Sequence, residues 1–137
     1  MKMKMVLILM VLSLFNVMAI DDNSLWGASG GDGVSTFAGV VDGETHVYSF
    51  GNAKKDIWYK GILYIFNGSI KVVECSIDWY TYQGYLFVKL VSVVNFDNEG
   101  NVISEIRSGE TYKMPAALLY VEGKTYLMLG ENYYMLM

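Results

Sequence analysis

The sequence predicts an all-β fold, an antiparallel meander of about eight to ten strands that closes into a small β-barrel or folds into a β-sandwich behind an N-terminal signal peptide. Three observations predict it. Runs rich in Val, Ile, Tyr, Phe and Trp recur along the chain between clusters of Gly, Asn and Asp. The dipeptides Asp42-Gly43, Asn67-Gly68 and Glu122-Gly123 each sit between two such runs, where a tight hairpin would turn. After Ile20 no stretch carries the three-and-four spacing of an amphipathic helix. Successive strands with short turns favour the barrel.

The first element is a leader. Lys2 and Lys4 precede an apolar run from Val6 to Phe15 broken only by Ser13, and Val17-Met18-Ala19 supplies small or aliphatic residues before a cleavage point. That order describes a secretory signal peptide over residues 1–19, and its apolar core falls short of the ~20 residues that span a bilayer. Residues 20–33 then form a polar, glycine-rich leader with Leu25-Trp26 as its anchor, and 34–137 form a single antiparallel β domain. The expected location is secreted or periplasmic, with no stable transmembrane segment once the leader is cut.

Within that domain Val34–Val41 and Glu44–Phe50 make the first hairpin, setting Val41 opposite Glu44, Gly39 opposite His46 and Phe37 opposite Tyr48. Ile57–Phe66 and Ser69–Ile77 make the second. A turn centred on Asn67-Gly68 sets Leu63 opposite Val72, Lys60 opposite Cys75 and Trp58 opposite Ile77. Gly84–Phe96 is a long strand, and Asp97–Asn101 turns it back into Val102–Arg107. Glu110–Lys113 is short, Pro115 removes a ladder donor, and Ala116–Tyr120 has room for one helical turn at most. Leu118–Val121, Lys124–Leu129 and Tyr133–Met137 complete the meander.

Composition narrows the chemistry. The chain is 53% hydrophobic, with eleven tyrosines and three tryptophans, so apolar burial supplies its stability. Its single cysteine allows no internal disulfide. Loss of Lys2 and Lys4 takes the 10 basic residues to 8 against 14 acidic ones, a net charge of −6 that disfavours nucleic acid.

Few motifs carry chemistry. Gly27-Ala28-Ser29-Gly30-Gly31 matches the G-x-S-x-G of many hydrolases, but Ser29 lacks the strand before it and the helix after it that an elbow needs. The only histidine, His46, falls in a strand of the next hairpin, where it reads as a packed or rim residue. One histidine and one cysteine make no zinc set. Asp97-x-Glu99-x-Asn101 starts like a calcium loop but misplaces its glycine, so it reads as a turn. No catalytic residue, metal site or cofactor is expected.

The segment Asp78-Trp79-Tyr80-Thr81-Tyr82-Gln83-Gly84-Tyr85 packs four aromatics into a connection between strands. Trp79, Tyr80, Tyr82 and Tyr85 are the candidate partner-binding residues, since exposed rings offer large contact area at low entropic cost. The expected function is therefore an exported, non-catalytic binding or structural module that meets a protein or glycan partner. A small barrel carrying an apolar ligand is the first alternative, and an enzyme using a carboxylate pair the second. A homodimer has two routes, an edge strand such as Tyr133–Met137, or Cys75.

Overall fold

The computed structural model describes residues 16–20, 24–28 and 33–137. In chain order these form β1 (Asn16–Ala19), α1 (Ser24–Gly27), β2 (Val34–Val41), β3 (Glu44–Lys55), β4 (Trp58–Asn67) and β5 (Ile70–Tyr82). Then follow β6 (Tyr85–Phe96), β7 (Val102–Arg107), β8 (Thr111–Val121), β9 (Lys124–Leu129) and β10 (Asn132–Leu136). Every ladder is antiparallel.

Eight of the strands close a barrel, running β2-β3-β4-β5-β6-β8-β9-β10 and back to β2. The β6–β8 ladder, Tyr85–Lys89 against Pro115–Thr111, joins the ring at one seam. The β10–β2 ladder, with Met135 opposite Ala38 and Leu136 opposite Phe37, joins it at the other. Gly39 makes that second seam close-packed: a Cβ there would run into the backbone carbonyl of Tyr133. Strand β7 continues the line of β8 along the far half of β6. Residues 16–19, the end of the expected leader, form β1 outside the ring, paired with Tyr120–Ala117 of β8. The rest of that leader and Ser29 lie outside the described residues.

Tight turns follow from left-handed backbone that few residues tolerate. Asp42-Gly43, Gln83-Gly84 and Glu122-Gly123 each hold both central residues at positive φ, the type I′ pattern that matches strand twist. The first hairpin has the register its Asp-Gly turn predicts. The second does not. Of its turn residues only Gly68 has positive φ, so the turn is Gly68-Ser69, of type II′, and Asn67 pairs with Ile70. Val72 then bulges out between Lys71, opposite Phe66, and Val73, opposite Ile65. Leu63 therefore faces Cys75 and Lys60 faces Asp78, in place of the expected pairs.

Two further expectations need correction. Strand β5 runs on through Tyr82, so the aromatic segment is ladder and not connection. Strand β8 passes unbroken through Pro115, with no helical turn after it. Ala116 donates to the Gly84 carbonyl and Glu110 accepts from Leu90 N–H, so even-numbered residues of β8 bond toward β6. The nitrogen of Pro115 points the other way, beside the carbonyl that accepts from Gly130 N–H at 2.9 Å, so the proline sits at the very end of the β8–β9 ladder and takes no donor from the β6–β8 seam.

The barrel is filled by rings. Phe50 meets Trp79 edge-on at 5.2 Å and stacks on Tyr48 at 5.4 Å, while Tyr59 stacks on Trp79 at 4.8 Å. Phe37 and Tyr134 join the same cluster. This is the filled interior that eight strands enclose. The helical turn α1 adds Leu25, fully buried, and sets Trp26 6.4 Å from Tyr59. No described helix is long and apolar enough to cross a membrane.

Candidate partner-binding face

Side chains alternate across a strand. Because Tyr59, Trp79 and Val88 point into the barrel, Trp58, Tyr80 and Phe87 point out. They form one continuous row across three strands. Trp58 meets Tyr80 edge-to-face at 4.8 Å, and Tyr80 stacks on Phe87 at 4.5 Å with planes 5° apart. Lys113 of β8 lies opposite Phe87 and extends the row. Beside it, Tyr82 and Tyr85 close the β5–β6 hairpin on the same face. On the other side runs a charged row, in which Lys60 and Lys89 flank Asp78.

Cations sit on the rings. The Lys89 ammonium lies 4.8 Å from the Trp58 centroid, and that of Lys113 lies 4.3 Å from Tyr85 and 5.8 Å from Phe87. Lys60 donates to Asp78 Oδ1 at 2.7 Å, and the Lys60 carbonyl accepts from Trp79 Nε1 at 2.9 Å, so the buried tryptophan anchors the charged row from beneath. Lys54, Ile57, Tyr80, Thr81 and Tyr82 line a shallow hollow of about 310 Å³ at the end of the face. Lys55, opposite Trp58, adds a fourth lysine to this face, whereas Lys54, opposite the inward Tyr59, sets its ammonium 5.0 Å from that ring at the barrel mouth. Four of the chain's 10 basic residues thus gather here, against Asp56 and Asp78, on a chain whose net charge is −4.

The four residues expected at a binding surface are not equivalent. Tyr80, Tyr82 and Tyr85 share the outer face, and Tyr82 is 59% exposed. Trp79 is fully buried among Phe50 and Tyr59 and offers no surface to a partner. Trp58 and Phe87, which complete the row, were not among the expected residues. Their signal, aromatics next to lysines in neighbouring strands, becomes visible only once the register is known.

Other candidates find structural places. Cys75 is buried inside the barrel, where burial first and Glu74 second push its thiol above the ordinary range. It is a poor nucleophile there and cannot reach a second chain, which removes the Cys75 route to a dimer. Strand β10 has ladders on both sides, so Tyr133–Met137 is not the free edge that the other route needed. His46 lies opposite Gly39 and Ile65. Burial lowers its pKa, and Glu44 and Asp42 push weakly the other way. The Asp97 carboxylate accepts from the backbone N–H groups of Glu99 and Asn101, both at 2.9 Å, and so closes its own turn. Among the described residues no cluster of His, Cys, Asp or Glu is arranged to hold a metal. No protein-family model, curated protein or solved structure matches this chain.

Proposed function

We propose that this chain is an exported, non-catalytic binding module of the cell surface or periplasm, whose aromatic–lysine face takes an acidic protein partner. One observation carries the reading: four lysines from four strands surround an outward row of aromatic rings on an otherwise acidic chain. Such a patch steers an acidic surface toward itself and offers it rings to bury. A protein partner suits the face better than a glycan. Tyr80 and Phe87 cover one another, and lysines cap Trp58 and Tyr85, so these ring faces are not open for a sugar to stack upon.

The ring-filled interior argues against the apolar-ligand carrier, which needs a continuous cavity. The one buried carboxylate among the described residues, Asp78, is held by Lys60, which gives little support to a catalytic pair. The leader over residues 1–19 supports export.

The test is an amide-shift titration of isotope-labelled protein with a peptide of alternating Glu and Leu, alongside a Lys–Leu peptide and a heparin oligosaccharide. The acidic peptide should shift Trp58, Tyr80, Tyr82, Tyr85 and Phe87. The shifts should weaken with salt and vanish in Lys89→Glu/Lys113→Glu. Shifts confined to another face, or produced by the oligosaccharide alone, would overturn the reading.

A further inference from the structure

We infer that the free edge of β7 pairs with the β7 edge of a second copy of this chain, antiparallel and centred on Ile106. Strand β7 is bonded to β6 on one side and ends the sheet on the other, with no partner there among the described residues. Exposed apolar side chains crowd it: Val102, Ile103 and Ile106 are each more than half exposed, on a strand of six residues. An edge of this kind is a template for another strand.

The hydrogen-bond phase and the charges together choose the partner. Ser108 donates to the Val91 carbonyl at 3.1 Å. Antiparallel bonding alternates along the strand, so Ser104 and Ile106 also bond inward to β6. The N–H and C=O groups of Glu105 and Arg107 therefore point to the open edge, while Ile103, between Ser104 opposite Asn95 and Val102 opposite Phe96, is a bulge that ends the regular alternation. A two-fold related copy must match odd residues with odd ones, which leaves few registers. Centring the pair on Glu105 sets that carboxylate opposite itself, and centring it on Arg107 does the same for the guanidinium. Centring it on Ser104 leaves Glu105 opposite Ile103, and centring it on Ile103 leaves it opposite Asn101 and sets Arg107 against Glu99, which lies in the turn outside the strand, so neither pairs opposite charges within β7.

Centring on Ile106 sets each Glu105 directly opposite the other copy's Arg107, twice, and is the one of these registers with opposite charges face to face within the strand. It also brings the two Ile106 side chains together at the two-fold as a non-hydrogen-bonded pair, where side chains approach most closely. The interface is isologous, each copy giving the other the same strand. It involves none of the residues of the aromatic–lysine face, so the dimer stands or falls separately from that proposal and would present two such faces at once.

Sedimentation velocity on the unmodified chain up to roughly 1 mM should show a concentration-dependent dimer, weak because so short a strand buries little area. Glu105→Arg sets arginine opposite arginine and Arg107→Glu sets glutamate opposite glutamate, so each variant alone should be monomeric. Mixed together, the two should form a heterodimer, and the double swap Glu105→Arg/Arg107→Glu should dimerise like the original chain. Both positions are exposed, so the fold tolerates these changes. A chain that stays monomeric up to ~1 mM, single variants that still dimerise, or a mixture that fails to associate would each overturn the inference.

Discussion

Gly61 offers a sharp test of the packing that places the outer face. It lies on β4 opposite Phe50 and Ile77, beneath the Trp79 ring. A Cβ at this position would come 2.7 Å from the Ser49 carbonyl oxygen and 3.2 Å from both Ile77 Cγ1 and Trp79 Cδ1. The carbonyl belongs to a strand ladder and the ring is wedged between Phe50 and Tyr59, so neither can easily yield. The backbone at Gly61 is not left-handed, so Gly61→Ala brings no conformational strain of its own. Reduced freedom of the unfolded chain would by itself favour alanine by about 0.4–1 kcal/mol. Overpacking a filled core costs about 1–3 kcal/mol, and it wins. The net loss is about 1–2 kcal/mol, or a melting temperature lower by roughly 4–8 °C for a domain of this size. Urea unfolding followed by tryptophan fluorescence measures the first, and a near-ultraviolet dichroism melt the second while reporting the surroundings of Trp79. Gly27→Ala, where nothing lies within 4 Å, is the control and should not destabilise. A Gly61→Ala protein as stable as the original would refute the packing argument.

Two further outcomes are expected. Because Cys75 is inside the barrel with its thiol pKa raised by burial, a colourless disulfide reagent should leave it unmodified in buffer and titrate one thiol per chain in urea. Rapid reaction in buffer would contradict the register of β4 on β5. His46 has a folded pKa below its unfolded value near 6.5, so the folded state binds this proton less readily than the unfolded chain does. Its contribution is full above that unfolded value and is lost as pH falls through the lower, folded one. His46→Gln should therefore lose less stability than the original chain when urea midpoints are compared between pH 7.5 and pH 5. An equal or greater loss would place the imidazole in water.

Much of the local structure was legible before the fold. A type I′ turn needs two left-handed residues, and Asp42-Gly43 announces one, so the register of β2 on β3 follows from the dipeptide. Asn67-Gly68 looked equally plain and misled, because a glycine in the first turn position makes a type II′ turn one residue further along, which shifts the pairing register by two from the type I′ alternative. Alone, that shift would keep each side chain on its face. The bulge at Val72 adds one more residue and exchanges the faces of β5 relative to β4, since the side-chain period of a strand is two. The candidate site depends on it. With Val72 bulged, Tyr80 stands beside Trp58 in the open and Trp79 beneath them in the core.

By itself, then, the sequence determined that this is a β protein, where most of its strands turn, and that it must hold together by burying rings without a disulfide. Those properties reside in single residues and their immediate neighbours, in side-chain shape and in glycine's tolerance of positive φ. Only the tertiary structure decided that the ring closes through β6–β8 and β10–β2, which aromatics lie inside, and that the lysines of four strands meet on one face. Each depends on pairing between residues far apart in the chain, where one bulged residue is enough to turn a surface inward.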